Sequence, residues 1–450
     1  MSQYSLLGSR RFLPLFCTQF LGALNDNIYK NALVIFIVFT LADRTVIDST
    51  VLVIMAGGLF ILPYFLFSAT AGQLADRYEK SLLIRRIKLT EIMIMGCAII
   101  GFISQNVLVL MTVLFFMGMQ STFFGPLKYG IVPQHLRLRE LTGGNGLIQM
   151  GTFLAILGGT IIGGVSIAIK GYGVYLVSIM VVVIAILGWY ASRHIPRARS
   201  SDNALVVDWN IFRQTFRIVR YAIAEKTVFV AIIAISWFWF IGATYLSLVP
   251  TYTRDVLMGN ELVATLLLTA FSIGIGSGSL FCEVLSRRNI EPGLVPVGAL
   301  GLTLFALDLF LIGTPAVGSG VVVTEGIANV AMSPGIFLSH LVHWRVLFDL
   351  ICIGFFGGIY IVPLYAMIQH RCDPAHRARV IAATNILNAL FMVTSALLVI
   401  ILISLSLTIP QIYLLIGILN LLVSGIIFII FPEYLQRLAV IFRPVGKDIA

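Results

Sequence analysis

Five residues inside the first apolar run carry groups that hydrocarbon does not tolerate: Asn25, Asp26, Asn27, Lys30 and Asn31. Counted from Arg11 at ~1.5 Å per helical residue, they begin about 22 Å along a helix, past the midplane of a bilayer. An Asp or Lys at that depth costs roughly 2.5–3.5 kcal/mol, and each neighbouring Leu or Ile returns only about 0.3–0.6. Such groups face a bundle interior or a wet cavity. Their chemistry there is binding: an anion for a cationic group, a cation for an anionic one, or a carrier of ions. Two readings of Asp26 stand open. It lies i,i+4 from Lys30 and the two neutralise each other, or it belongs to a substrate or ion pathway.

The other chemically capable residues are more scattered. Lys128 follows Pro126-Leu127 at the end of the fourth apolar run, and serves either as a positive-inside anchor or as a point charge for an anion. Glu91 is i,i+3 from Lys88 and Asp349 is i,i+4 from Arg345, and both read as interfacial ion pairs. Asp308 has no local partner. His340 and His343, without a third ligand, read as solvated loop residues. The five cysteines, Cys17, Cys97, Cys282, Cys352 and Cys372, form no metal-binding spacing, so neither a metal site, a cofactor nor a structural disulfide is expected.

The elements that position these residues are membrane helices. Of 450 residues 59% are hydrophobic and 11% charged, against about 25% charged in soluble domains. Backbone groups in hydrocarbon must be satisfied within the element, and runs such as 107–124 and 398–409 lack the alternation of a barrel strand. The expected class is all-α, with spans near 12–41, 51–74, 82–104, 107–127, 144–169 and 172–192, then near 227–250, 262–285, 293–313, 345–369, 379–408 and 410–431. Twelve transmembrane helices thus fall into two six-helix bundles, 1–192 and 227–432, joined by a polar linker, 193–226, and followed by a tail, 433–450.

Basic residues set the orientation. Arg10 and Arg11, the even connections with Arg77, Lys80, Arg85, Arg86, Lys88, Lys128, Arg137, Arg139, Arg287, Arg288, Arg371, Arg377 and Arg379, and the linker carry most of the charge, whereas the odd connections carry Arg44, Lys170, Arg254 and Arg345. Both termini are therefore expected in the cytoplasm. The net charge of +10 expresses this asymmetry, with anionic headgroups as counter-charge and no nucleic-acid partner. Within the linker Phe212, Phe216, Val219 and Ile223 recur at helical spacing with Arg213, Arg217 and Arg220 on another face, the pattern of an interfacial amphipathic helix.

Two six-helix halves with a long middle loop resemble the major facilitator superfamily, whose fold places a substrate site between parallel repeats. Gly72-Gln73-Leu74-Ala75-Asp76-Arg77-Tyr78-Glu79-Lys80, between the second and third spans, resembles its loop motif. Glu79 stands where that motif usually has glycine. The resemblance implies gating roles for Gly72, Asp76, Arg77 and Lys80, with Asp76 accepting from a helix N-terminus or a neighbouring arginine. The second-half counterpart around Gly276 to Glu283 is degenerate. A clearer echo pairs Pro126-Leu127 and Asn145-Gly146-Leu147 with Pro363-Leu364 and Asn385-Ile386-Leu387.

A narrower resemblance is to the bacterial lysophospholipid transporter family. It rests on Gln19-Phe20-Leu21-Gly22-Ala23-Leu24-Asn25-Asp26-Asn27, on Gly125-Pro126-Leu127-Lys128-Tyr129-Gly130-Ile131, on Asn145-Gly146-Leu147 with Gly158-Gly159 and Gly163-Gly164, and on Gly357-Gly358 through Val362-Pro363-Leu364 to Gln369. The resemblance implies a non-enzymatic secondary transporter of the bacterial inner membrane, a flippase moving lysophospholipids such as lysophosphatidylethanolamine from the outer to the inner leaflet by alternating access. It also implies an acyltransferase/acyl-carrier-protein synthetase as partner. The stretch after Phe431-Pro432-Glu433-Tyr434 is too short to hold those domains. The loop near 314–344 is longer than a minimal member needs, and no basic residue lies between Thr227 and Pro250.

The site expected on this resemblance comprises Asp26, Asn27, Lys30, Lys128, Tyr129, Asn145 and Asn385, with Asp26 facing an ammonium and Lys128, or Lys30, a phosphate. Membrane lipids are the surroundings and the source of substrate. The alternative is a proton-coupled exporter of drugs or siderophores, because Gly159-Thr160-Ile161-Ile162-Gly163-Gly164 resembles the antiporter motif with Thr160 in place of proline. A transport-dead receptor is a third class, disfavoured by charges that only a pathway requires.

Overall fold

The computed structural model describes residues 3–41, 49–313 and 332–441. Arg44, most of the long 314–344 loop and the end of the tail, 442–450, lie outside the described residues. Fifteen α-helices follow in order among those described: α1 (Leu13–Phe36), α2 (Ser49–Arg77), α3 (Lys80–Ser104), α4 (Val107–His135), α5 (Leu141–Ile167), α6 (Gly173–Ser192), α7 (Ile211–Ala224), α8 (Lys226–Asp255), α9 (Glu261–Leu285), α10 (Leu294–Gly313), α11 (Pro334–Ser339), α12 (Leu341–Arg371), α13 (Arg377–Ser404), α14 (Ile409–Ile430) and α15 (Glu433–Ile441).

Local chemistry sets many of the ends. Asn106, Asn210 and Asn260 take extended backbone and their side chains accept from the first-turn amides of α4, α7 and α9. Thr408 and Gln411 close a reciprocal box at the start of α14. Gln105, at φ 54°, turns the chain out of α3 in the left-handed region.

Eleven described helices are long and apolar enough to cross a membrane, namely α2 to α6, α8 to α10 and α12 to α14. The 24-residue α1 is not among them. Its length suffices, but Asn25 to Asn27, Lys30 and Asn31 interrupt the apolar run. Outward faces remain apolar, as Leu108 and Ile429 illustrate at 76% and 79% exposure, the pattern of surfaces that meet lipid.

The chain divides into two compact units. The first contains 1–144, 151–229 and 368–389, and the second 145–150, 230–367 and 390–450. In the first unit Tyr29, Leu33 and Phe36 of α1 pack with Met95 and Phe102 of α3, Leu110 and Leu114 of α4, and Val177 and Val181 of α6. The Tyr29 hydroxyl donates to Leu110 O at 2.8 Å, so the one polar atom of that side chain is satisfied inside the core.

In the second unit α9 and α12 approach closely enough that a Cβ on Gly278 would fall 1.9 Å from Phe355 O, and one on Gly358 2.4 Å from Ser279 N. Helices α8, α10 and α14 share a buried polar knot. Trp237 Nε1 donates to Asn420 Oδ1 at 2.9 Å, and Asn420 Nδ2 donates to Ala299 O and Thr303 Oγ1 at 2.8 and 2.9 Å.

Two expectations for this unit are corrected. Arg345 pairs with Asp308 of α10 and not with Asp349 one turn away. Asp349 is buried and lies beside Asp308, and it forms no ion pair with Arg345 among the described residues, because it points inward from α12 while Arg345 points out. His343 is not a solvated loop residue. It lies in the first turn of α12, buried at 4% exposure, its ring stacked 4.1 Å from that of Phe337 and Nδ1 2.7 Å from Phe337 O.

Candidate functional site

The polar turn of α1 is the centre of a cluster built wholly within the first unit. Asn25 and Asp26 project toward different neighbours, as successive residues of a helix must. Asn25 Nδ2 donates to Glu91 Oε1 of α3 at 2.9 Å, and Lys88 Nζ donates to Glu91 Oε2 at 2.5 Å. Lys88 and Glu91 are each 1% exposed, so this pair is a buried element of the α1–α3 contact and not the interfacial pair expected. The Lys88 ammonium also stands 5.0 Å from the Phe124 ring centroid. Gly22, one turn before Asp26, makes the space for it.

Asp26 faces α4. Ser121 Oγ donates to Asp26 Oδ2, and Gln120 Nε2 donates to Oδ1 at 3.2 Å. Tyr64 of α2 approaches the same Asp26–Ser121 pair. Lys30 is near enough to act on Asp26 electrostatically, yet the two form no ion pair among the described residues. The Lys30 ammonium instead lies 5.7 Å from the Phe60 ring centroid. Sequence spacing alone joined Asp26 to Lys30, whereas tertiary packing gives the carboxylate neutral donors and leaves Lys30 without an ion-pair partner among the described residues.

The other face of this turn meets α5. Asn27 Nδ2 donates to Ala23 O at 2.8 Å, while Asn31 Nδ2 donates to Asn27 O at 2.9 Å and to Thr160 Oγ1 at 3.1 Å. A Cβ on Gly159 would fall 2.7 Å from Asn27 Cβ, and one on Gly163 2.4 Å from Ile28 O. The glycines of this stretch therefore let α5 lie against the polar turn, and Thr160 contributes a hydroxyl where a proline would offer none.

Of the remaining expected site residues, Lys128 is half-buried, seven residues beyond Ser121, or about 10 Å along α4. Its ammonium lies 4.6 Å from the centroid of the Tyr129 ring. The structure thus places it on the helix that holds Asp26 but does not bring the two into contact. Asn385, in the part of α13 that belongs to the first unit, sits against Gly125, where a Cβ would meet Asn385 Nδ2 at 2.7 Å. Asn145 is buried and belongs to the second unit. A cavity of about 190 Å³ lined by Leu74, Arg86, Thr90 and Phe123 opens beside α2, α3 and α4 and includes none of the Asp26 cluster.

The loop motif forms a second assembly in the same unit. Asp76 is fully buried at the end of α2 and accepts from Ala378 N at 3.2 Å, Arg379 N at 3.3 Å and Arg379 Nε at 2.9 Å. An acid at the first turn of α13 meets both unsatisfied amides and the positive end of the helix dipole. Gly72, one turn earlier, would bring a Cβ to 2.8 Å from Ala382 Cβ. Lys80 Nζ donates to Arg199 O and Ser201 Oγ of the linker at 3.1 and 2.9 Å, and Arg77 lies over the Tyr78 ring at 5.3 Å.

Glu79 needs no glycine conformation. At φ −62° and ψ 120° it caps α3, accepting from Ser81 N and Leu82 N at 3.2 Å and from Ala198 N at 3.0 Å. Partial burial raises its pKa, but the bond from the Ser81 hydroxyl and these amides outweigh burial and hold it below the ordinary glutamate value.

Sequence reasoning passed over Lys88, Glu91, Gln120 and Ser121 as members of the cluster. The signal was available for Glu91, which is the twelfth of the 25 residues of α3 and so close to mid-helix. The basic run Arg85-Arg86-Lys88 made Glu91 read as an interfacial partner of Lys88 near the end of the expected span, 82–104.

These features belong to a polytopic membrane transporter, and comparison places the chain in a family. Residues 15–345 match the Major Facilitator Superfamily, and the chain belongs to it. It is similar to proteins named Lysophospholipid transporter LplT. That of Serratia proteamaculans (strain 568) is 23% identical over 379 residues, covering 82% of each chain, and that of Yersinia pestis (strain Pestoides F) is 22% identical over 374 residues, covering 81% of this chain and 79% of the other. The fold is shared with the superfamily transporter FucP in its outward conformation, at TM-score 0.65 and 13% identity over 96% of this chain and 99% of the other. It is shared too with a bacterial homologue of the iron transporter ferroportin in an outward-facing state, at TM-score 0.63 and 14% identity over 94% and 99%.

Proposed function

We propose that this transporter carries lysophospholipids, such as lysophosphatidylethanolamine, from the outer to the inner leaflet of a bacterial inner membrane. The observation that carries the reading is the separation of Asp26 and Lys30. A buried carboxylate that leans on neutral donors, and a cation one turn away without an ion-pair partner among the described residues, form a site suited to a zwitterion. The names of the relatives, at about a fifth of residues identical, point to the same cargo.

In this reading α1 is the first of twelve spans, with both termini cytoplasmic, and residues 1–192 and 227–432 are two bundles that rock about the cargo. Asp26 receives the ammonium. Lys128 receives the phosphate as a point charge, with Lys30 as second cation, while Asn27, Tyr129, Asn145 and Asn385 complete the polar lining. Asp76, Gly72, Arg77 and Lys80 govern closure at the cytoplasmic end. An acyltransferase/acyl-carrier-protein synthetase is the partner, since consumption of the flipped lipid gives a neutral zwitterion its direction when the membrane potential does little net work on it.

Flux of labelled lysophosphatidylethanolamine into proteoliposomes tests the proposal. Uptake that persists with an uncoupler supports it. Drug efflux that collapses with the proton gradient, without lysolipid uptake, would replace it with the exporter reading, in which Asp26 carries the proton.

A further inference from the structure

The linker helix α7 presents three faces, and only one is covered. Gln214, Ile218 and Ala222 are buried against the first unit. At 3.6 residues per turn, the arc of Phe212, Phe216, Val219 and Ile223 is centred roughly 120° from that packed face, and the arc of Arg213, Arg217 and Arg220 roughly 100° beyond. Phe212 is 79% exposed and Phe216 71%, and Trp209 just before the helix is 70% exposed. Arg213 is paired with Asp208, Nε to Oδ2 at 2.7 Å. Arg217 and Arg220 have no hydrogen-bond or ion-pair partner among the described residues.

The linker leading into this helix is bonded to both members of the Asp76–Arg379 contact, and the helix itself stacks beside them. Gln73, one turn before Asp76, exchanges two hydrogen bonds with the backbone of Asp208, at 2.9 and 3.2 Å. Ser201 N and Asp202 N donate to Asp76 O at 2.8 and 3.0 Å. Arg379 Nη2 donates to Asp202 Oδ2 at 3.4 Å. Tyr221 of α7 stacks on His376, three residues before Arg379, at 4.6 Å and 15°.

We propose that α7 docks on the anionic surface of the leaflet it adjoins, and that this docking stabilises the contact between Asp76 and the first turn of α13. Phe212, Phe216, Val219 and Ile223 enter the acyl boundary, and Arg217 and Arg220 meet lipid phosphates. An apolar arc beside a basic one at fixed depth is what the boundary between acyl chains and phosphates complements, and the flanking spans keep that leaflet within reach. Of the acids near this surface, Asp208 and Asp202 pair with Arg213 and Arg379 and Asp373 lies against His376, while Glu225 closes the helix; none of them pairs with Arg217 or Arg220 among the described residues. The role is regulatory: anionic lipid content sets how firmly the α2–α13 contact is held.

The test is amide hydrogen exchange on the intact chain in nanodiscs, which needs no transport assay and stands whether or not lysophospholipid is the cargo. Two discs are compared, phosphatidylcholine alone and phosphatidylcholine with about one-third phosphatidylglycerol. The amides of Ala378 and Arg379, which donate to Asp76, should exchange about tenfold more slowly in the anionic disc. High salt should erase the difference. The R217Q/R220Q variant, which alters exposed side chains only, should exchange in both discs as the native chain does in phosphatidylcholine. Equal exchange of the native chain in both discs overturns the proposal, as does an unchanged lipid response in R217Q/R220Q.

Discussion

A Cβ on Gly22 would stand 2.3 Å from Lys88 Nζ, so an ammonium from α3 occupies the volume that a side chain on α1 would fill. Lysine tips are flexible, and on an open surface such a clash would be relieved by rotation. Here the tip is fixed by Glu91 at 2.5 Å in a site that is 1% exposed. Moving it separates two buried charges.

Gly22→Ala is therefore expected to destabilise the protein by roughly 3 kcal/mol, the scale of breaking a buried ion pair. Thermal unfolding in detergent reads the loss. Lys88→Met with Glu91→Gln removes both charges and should relieve most of it in the Gly22→Ala background. A Gly22→Ala protein as stable as the parent would show that the pair tolerates displacement.

At the α2–α13 contact, Asp76→Asn keeps an acceptor but loses the charge that meets two amides and the Arg379 guanidinium. A charge-assisted contact of this kind contributes about 1–3 kcal/mol, so the population with this end open should rise between fivefold and a hundredfold. Cys372 is a native reporter, 5% exposed in the turn between α12 and α13. With the other four cysteines replaced, its maleimide labelling should accelerate in Asp76→Asn, while transport slows and lipid binding persists. Unchanged labelling and unchanged flux would remove Asp76 from the gate.

Glu79 gives a pH-dependent contribution. Its pKa is depressed in the folded protein, so its stabilisation is complete above the unfolded glutamate range and fades as pH falls through the lower folded value. Glu79→Ala should cost about 1 kcal/mol at pH 7, as loss of a helix cap does. The gap between variant and parent should close on acidification below the usual carboxylate range. A gap that persists on acidification well below that range would mean that side-chain packing, and not the charged cap, carries the effect.

How much of this was legible in the sequence differs between elements. The spans were readable because lipid demands long apolar helices, and the eleven apolar helices begin close to the expected runs, with α4 and α8 running on past their expected ends to His135 and Asp255. α1 was readable for the opposite reason: only an interior position tolerates Asn25 to Asn27 with Lys30. What the sequence did not reveal is pairing across helices. Asp26 and Lys30 share a spacing that suggests an ion pair, as do Arg345 and Asp349, yet Asp26 turns to Ser121, and Arg345 turns to Asp308, 37 residues away. Local periodicity tells which residues share a face and is silent about what the opposite helix offers.

The proposed assignment of Asp26 to an ammonium and of Lys128 to a phosphate separates by headgroup. Removing one charge leaves its partner on the lipid desolvated and unpaired, which costs ~1–3 kcal/mol, or roughly tenfold to a hundredfold in affinity. Asp26→Asn retains an oxygen for the Ser121 hydroxyl, so the local fold should hold while the charge is lost. It should impair lysophosphatidylethanolamine far more than lysophosphatidylglycerol, which lacks the cation. Lys128→Ala should impair both, because both carry phosphate. The absence of an ion pair between Asp26 and Lys30 adds a further expectation: Lys30→Gln should not rescue Asp26→Asn. Flux of both lipids in the two single variants and in the Asp26→Asn/Lys30→Gln double variant decides the matter. A loss blind to headgroup, accompanied by poor folding and relieved in the double variant, would return Asp26 to a purely structural role.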